Sequence, residues 1–206
     1  MELLTFPLGP LQTNCYLLAG EREAVAVDPG GDPAPLLDHL RARGLALTHI
    51  LLTHLHFDHT YGARALAEAT DAPLLCGRAD KELLENWLGM GGSMGLPPVD
   101  EYAPTFIEPG AHRFGGFDCT VFTTPGHSRG SLTFHFPEAG AAFVGDLIFY
   151  RSIGRTDFPG GDLDELRRSV REHIFTLPPE TVLYPGHGPA TTAGEEHLHN
   201  PYFQGE

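Results

Sequence analysis

The sequence predicts a layered α/β fold, and three observations lead there. Short apolar runs alternate with helical stretches through the first half of the chain, in a βαβα order that stacks helices on sheet. Run after run ends in a polar turn, at Asp28-Pro29-Gly30, His54 to His59, Pro125-Gly126-His127, Gly145-Asp146 and Pro185-Gly186-His187. A length of 206 residues, 41% hydrophobic and 19% charged, suits one domain spanning 1–206 with a substantial core.

Residues 3–8 and 14–19 read as strands parted by Gly9-Pro10, and a turn at Gly20-Glu21 leads into a third strand at 24–27. Asp32 is placed to cap a helix that carries Pro33 in its first turn, runs to Arg43 and is stopped by Gly44. The run 47–53 is apolar nearly throughout, as in a strand covered on both faces. A helix over 60–69, a strand at 73–76 and a helix over 78–88 follow. Residues 89–98 hold four glycines, two methionines and two prolines, too irregular for an element interior, and read as a surface connection. Strands return at 117–124, 131–136 and 141–144. A helix over 162–174, capped by Asp162, ends before Pro178-Pro179, and the last strand is 181–184.

A net charge of −14, with a single lysine, Lys81, against twelve arginines, argues against a nucleic-acid partner, because phosphate backbones are held by clustered basic side chains. Cys15, Cys76 and Cys119 are odd in number and lack CxxC spacing, so buried free thiols are expected rather than disulfides or a cysteine metal site. Met1 to Pro7 lacks a basic start followed by a long apolar region, and no run is long enough to span a bilayer. A soluble, cytoplasmic protein, monomeric or a small homo-oligomer, is the expectation.

The densest chemistry lies in Thr53-His54-Leu55-His56-Phe57-Asp58-His59-Thr60, where three imidazoles and a carboxylate fall within six positions. A helix would throw His54 and His56 to nearly opposite sides, so the spacing suits a strand end opening into a turn. With His127, Asp146 and His187 at other strand ends, five histidines and two aspartates are expected to converge, on loops held by a rigid sheet. Imidazole and carboxylate without thiolate suit zinc, iron or manganese. His39, His112, His135, His173, His197 and His199 carry no motif and read as surface or structural, and His49 as packing or support within the incoming strand.

These residues resemble the metallo-β-lactamase superfamily and, within it, the glyoxalase II-like hydrolases. The resemblance rests on HxHxDH at His54 to His59, on His127, Asp146 and His187 in the same order, and on the VDPG turn at Val27 to Gly30. It implies a four-layer αββα sandwich with two mixed sheets and a dinuclear site at one edge. His54, His56 and His127 would hold the first of two divalent ions, with zinc the first assignment, Asp58, His59 and His187 the second, and Asp146 would bridge. Gly154-Arg155-Thr156-Asp157-Phe158-Pro159-Gly160-Gly161 is similar to the stretch that glyoxalase II-like enzymes and persulfide dioxygenases carry after the bridging aspartate. Arg155 matches a basic position that contacts a glutathione thioester in that family, whereas Asp157 stands where the family has tyrosine.

The resemblance implies thioester hydrolysis, S-lactoylglutathione being the type substrate, by a hydroxide bridging two cations that polarise the carbonyl and stabilise the oxyanion. Asp58 and Asp146 would be catalytic, while Arg155 and, on position alone, Tyr150 would contact the substrate. Iron-dependent persulfide dioxygenation is the competing enzyme reading, and a metal-binding module without efficient turnover the non-enzymatic one. The combination of Asp58 with Asp146 sets antibiotic hydrolysis aside, and the charge sets RNA processing aside.

Overall fold

The protein was described by a computed structural model covering residues 1–93 and 95–204; Met94, within the glycine-rich stretch, and Gly205-Glu206 lie outside the described residues. β1 (Glu2–Leu8), β2 (Thr13–Ala19), β3 (Glu23–Val27), β4 (Ala46–Leu51), β5 (Leu74–Gly77) and β6 (Thr105–Ile107) form a six-stranded sheet in sequence order. β7 (Gly110–Phe114), β8 (Phe117–Thr123), β9 (Leu132–Phe136) and β10 (Ala141–Gly145) enter a second sheet. β11 (Ile148–Phe149) and β12 (Ser152–Ile153) form a separate hairpin, and β13 (Val182–Pro185) and β14 (Thr191–Thr192) complete the second sheet, whose order is β14-β13-β10-β9-β8-β7. Both sheets are mixed: β3, β4, β5 and β6 run parallel beside the antiparallel β1-β2-β3, and β10 runs parallel to β13 in an otherwise antiparallel sheet.

Strand periodicity explains the layering. Along β2, Cys15, Leu17 and Ala19 face one core while Tyr16 and Leu18 face another; along β3, Ala24 and Ala26 oppose Val25 and Val27. The Tyr16 side joins Phe117, Val121, Phe134, Phe136 and Phe143 of the second sheet, so an aromatic-rich core fills the space between the sheets. The Leu17 side packs on α1 (Ala34–Arg43) and α3 (Ala63–Thr70) through Leu36, Leu40 and Leu66. On the far face of the second sheet, Ala142, Val144 and Leu183 meet Leu166, Val170 and Ala193 of the carboxyl-terminal helices. Helix, sheet, sheet and helix layers give the αββα sandwich. No helix among the described residues is long and apolar enough to cross a membrane.

The helices differ from expectation where side chains or turns interrupt them. Asp32 sits one residue before the cap: its Oδ1 accepts from Ala34 N (3.0 Å), while Pro33 occupies the cap position and Gly44 ends α1 in the left-handed region, φ 64°. The helix expected over 60–69 begins earlier, as α2 (Phe57–Thr60), and breaks before α3 because Gly62 N donates to Pro29 O (2.7 Å), docking the chain on the 28–31 turn. Residues 78–88 divide into a 3-10 stretch, Arg78–Glu85, and α4 (Trp87–Met90), which Asn86 caps by accepting from Leu88 N. Asp162 caps α5 (Leu163–Ser169) through Glu165 N (2.9 Å), and the helix loosens into a π turn, Val170–Ile174. Strands β6, β7, β11, β12 and β14 and helix α6 (Ala193–His199) are additional to the sequence reading; for α6 the cue lay in Thr192 followed three residues later by Glu195, whose N–H Thr192 Oγ1 accepts (3.2 Å).

Candidate metal centre

Strand direction gathers the polar turns at one edge. β3 and β4 are parallel, β10 and β13 are parallel, and β8, antiparallel to β9, points the same way as β10. The carboxyl ends of β3, β4, β8, β10 and β13 therefore deliver Asp28, the His54 to His59 block, His127, Asp146 and His187 to one place. Backbone bonds fasten the two sheets there, Leu132 N to Thr53 O (2.7 Å) and Asn14 N to Gly186 O (2.8 Å), and within the second sheet Gly186 N donates to Gly145 O (2.9 Å). Gly186 is required by space, since a Cβ on it would run into Asp146 Oδ1 and the His59 ring.

His54, His56 and His127 each offer a ligand atom within 4.8 Å of the others, as do Asp58, His59 and His187, and His54, His59 and Asp146. Asp146 stands between the sets: its Oδ1 is 3.3 Å from His59 Nε2, and its Oδ2 is 3.6 Å from both His127 Nε2 and His187 Nε2. His56 Nδ1 and His127 Nε2 face each other at 2.9 Å, and Asp58 Oδ2 lies 3.1 Å from His187 Nε2. Among the described residues, His54 Nε2, His59 Nε2 and Asp146 Oδ1 are buried with no hydrogen-bond partner. Three converging orphaned atoms are costly unless something between them completes their valence, and all three are donors that a divalent cation accepts. The side chains therefore fit the metal pair that the sequence implies.

Supporting contacts fix which nitrogens face the centre. His127 Nδ1 donates to Arg155 O (2.7 Å), leaving Nε2 as the lone-pair nitrogen. His59 Nδ1 is held by Asp28 Oδ2 (2.9 Å), again turning Nε2 inward. Asp28 also accepts from Thr53 N (2.8 Å) and Thr53 Oγ1 (2.6 Å), and its backbone takes a left-handed φ of 49°, a strained conformation outside glycine. Thr13 Oγ1 donates to Asp58 Oδ2 (3.2 Å). Asp80, 2% exposed, ties two ligand loops together: Oδ2 accepts from Leu55 N and Ser128 Oγ, and Oδ1 from Gly130 N. Burial raises its carboxyl above the usual range against these three donors. Asp28 was visible in the sequence only as part of a turn, and no local pattern around Asp80 or Thr13 signals a role.

The electrostatics divide the histidines. Burial, reinforced by the other imidazoles, holds His54 well below the ordinary range, and burial with His127 brings His56 down to about 3, so both are neutral with lone pairs free. For His59 burial acts downward but Asp58, Asp146 and Asp28 outweigh it, and the ring is raised. His187 is raised against burial by its hydrogen bond to Asp58 and by Asp146. Burial pushes Asp58 and Asp146 upward, yet His59 leads the groups that outweigh it and hold both carboxyls low.

Above the centre opens a cavity of about 540 Å³, whose walls include Leu11, Phe57, Trp87, Leu88, Phe149 and Phe158. Leu96 also lines it, so part of the stretch read as a surface connection forms a wall of the site; its backbone is fastened by Gly92 N to Pro97 O (3.0 Å) and Val99 N to Met90 O (2.8 Å). Arg155 lines the cavity and, at the protein surface, sets Nε and one terminal nitrogen on the exposed Asp157 carboxylate at 2.7 and 2.8 Å, with its Cζ 3.7 Å from the Phe158 ring centre. Tyr150, expected as a pocket residue, is not brought there: it sits in the turn between β11 and β12, 52% exposed beside the Arg151 guanidinium, while the preceding Phe149 lines the cavity. His49 packs on Phe114, His135 and His173 on Phe122, and His197 on Phe175, while all three cysteines are buried and free.

Fold and site together define a protein of the metallo-β-lactamase class, and comparison with known proteins agrees: the chain belongs to the metallo-beta-lactamase superfamily, matched over residues 8–187. It is 34% identical to the probable metallo-hydrolase YqgX of Bacillus subtilis, covering 100% of this chain and 99% of that protein. It is also 34% identical to hydroxyacylglutathione hydrolase GloC of Haemophilus influenzae, over 98% of each. Among solved structures it is similar to BLEG-1 B3 metallo-beta-lactamase (37% identity, TM-score 0.92, 99% of this chain and 100% of that one). TTHA1623 in a di-iron-bound form (40%, 0.87, 97% and 99%) and ETHE1 from Myxococcus xanthus (31%, 0.79, 98% and 84%) share the fold as well.

Proposed function

We propose that this chain is a metal-dependent thioester hydrolase of the glyoxalase II-like subgroup, acting on an acylated small thiol for which S-lactoylglutathione is the reference substrate. The observation that carries the reading is the seven-residue donor set with Asp146 between its two halves, beneath an apolar-walled cavity of ligand size. His54, His56 and His127 would hold one divalent ion and Asp58, His59 and His187 its neighbour, with Asp146 shared. Zinc is the first assignment, and iron or manganese satisfies the same donors. Ions bound there supply Lewis acidity toward a carbonyl and bring the acidity of water toward neutrality.

The chain's own contribution follows from its contacts. Asp58, kept ionised by His59 and held at Oδ2 by Thr13 and His187, is placed to orient the attacking water and take up its proton. Phe57, Leu88 and Phe158 exclude bulk water from the reacting centre. A thiolate leaves without a dedicated acid, so no further proton donor is required. The name of the Haemophilus influenzae relative supports this reading.

Iron-dependent persulfide dioxygenation is the second reading, favoured by the 154–161 segment, while the di-iron-bound form described for TTHA1623 keeps iron open as the metal of either reading. BLEG-1, described as a B3 metallo-beta-lactamase, adds a β-lactam to the substrates to be tried. The test is free-thiol release from S-lactoylglutathione and several other acyl thioesters by metal-loaded protein, lost in His56→Ala. Oxygen uptake with glutathione persulfide on iron alone would replace the hydrolase reading. Stoichiometric metal with no turnover of any of these would leave a metal-binding module.

A further inference from the structure

His187 stands apart from the other donor histidines. His54, His56, His59 and His127 are buried at 6% exposure or less, whereas the His187 side chain is 31% exposed, so packing alone does not hold its ring. Its backbone is permissive as well: Gly186 precedes it, and Gly188 follows at a left-handed φ of 76°. A ligand on such a loop keeps its place only when partners behind it fix the loop.

Those partners lie at the start of β2. The buried Asn14 amide donates to Pro185 O (3.1 Å) and Gly188 O (2.9 Å), and the Asn14 backbone N–H donates to Gly186 O, so three bonds from one residue bracket His187 on both sides. The Tyr16 hydroxyl adds a fourth, on Pro185 O (2.6 Å). Strand alternation places Asn14 with Tyr16 on the face turned to the second sheet, and Thr13 with Cys15 and Leu17 on the opposite face, where its hydroxyl reaches Asp58 Oδ2 in α2. Two consecutive residues thus reach Asp58 and the His187 loop, and Asp58 Oδ2 in turn meets His187 Nε2. Both ligands belong to one half of the donor set; the loops of His54, His56 and His127 are tied instead by Asp80.

We propose that Asn14 is the positioning residue of the site formed by Asp58, His59 and His187, fixing the His187 loop from across the two sheets, and that Thr13 assists by orienting Asp58. This role rests on the division of the donors proposed above and is independent of which substrate is turned over. Asn14 acts through His187 and is not a catalytic residue.

Metal content reads the role without turnover. Zinc-loaded protein, Asn14→Ala, Thr13→Val and the references His187→Ala, His56→Ala and Asn200→Ala are dialysed alike, zinc per chain is measured, and chelator competition gives the affinity of each site. The visible bands of cobalt-substituted protein, compared with those of His187→Ala and His56→Ala, tell which ion is lost. His187→Ala is expected to keep one of two ions. Asn14→Ala is expected to weaken that same second site by about 10- to 100-fold with the first unchanged, and Thr13→Val by about tenfold. Asn200→Ala removes another buried amide, bonded to Ser152 O and Glu196 Oε2, and is expected to lower the unfolding temperature while both ions stay. Lowered stability of Asn14→Ala with both ions retained, or equal weakening of both sites, would overturn the proposal. If Asn14→Ala does not fold, Tyr16→Phe carries the test by deleting the hydroxyl on Pro185 O: weakening confined to the second site supports the clamp, and weakening of neither or of both overturns it. Two ions in His187→Ala would remove the division of the donors and this role together, whereas one ion there and two undiminished in Asn14→Ala would remove this role alone. Failure to cleave any thioester would remove the proposed reaction and leave the role of Asn14 standing.

Discussion

Asp28 Oδ2 stands 2.9 Å from His59 Nδ1, and the same carboxylate accepts both the backbone N–H and the hydroxyl of Thr53, so one buried side chain orients a donor histidine and anchors the turn that carries His54. Asp28→Asn keeps the shape but puts an amide where one acceptor oxygen was, leaving either His59 or Thr53 without its partner. Metal affinity is expected to fall by about 10- to 100-fold, the usual effect of losing an orienting partner behind a metal ligand. Chelator competition on the purified variant measures it, and an unchanged affinity would show that His59 needs no such support.

The division of the donors predicts unequal losses. His56→Ala is expected to empty the site shared with His54 and His127 and to leave the Asp58, His59 and His187 site loaded, because His56 belongs to the first group alone. Asp146→Ala is expected to disturb both, since that carboxylate reaches His59, His127 and His187. Elemental analysis of the two variants after identical dialysis decides the matter. Equal metal counts would contradict the assignment.

Acid should weaken metal binding through particular rings. His59 and His187 are raised above the ordinary imidazole range, chiefly because Asp58 and Asp146 outweigh their burial, so in metal-free protein they carry protons that an incoming ion must displace. His54 and His56, lowered by burial, are already neutral and add little slope. Affinity is therefore expected to fall as pH decreases from about 8 to about 6, by up to about tenfold per pH unit for each proton displaced. Titration in buffers of different ionisation enthalpy counts the protons released, and a count of zero would refute the assignment of charge.

Two glycines separate function from stability. Gly186→Ala would push a methyl group into Asp146 and the His59 ring, and is expected to abolish loading of the site these two share. Gly44→Ala closes α1 in open space at φ 64°, and is expected to lower stability by about 1 kcal/mol without touching metal content. Thermal unfolding and metal analysis on both variants check the contrast; full metal in Gly186→Ala would mean the centre tolerates a displaced Asp146.

Much of this was legible in the residues, and for a physical reason. A strand buried on both faces must read as a continuous apolar run, so β2, β3, β4 and β10 announced themselves, and the polar residues at their ends stood out by contrast. Short edge strands such as β6 and β14 owe their conformation to a neighbouring strand rather than to pattern, and were invisible until pairing was known. The donor residues were legible as side-chain types at strand ends. The groups that hold them were not, because Asp80 meets Leu55, Ser128 and Gly130 across 25 to 50 residues of chain, and only folding makes them neighbours. Arg155 was singled out as a substrate contact, whereas its pairing with Asp157, seen in the sequence only as a departure from the family pattern, became visible with the structure.

The first sheet is built wholly from residues 2–107 and the second wholly from 110–192, so two successive halves of the chain meet face to face. His54, His56, Asp58 and His59 belong to the earlier half, and His127, Asp146 and His187 to the later one. Any ion bridging them registers that the halves have docked, and must be released before they can part. Its removal should therefore quicken the separation of the two halves more than it alters either half alone, making the residence time of the metal a clock for how long the sandwich stays shut.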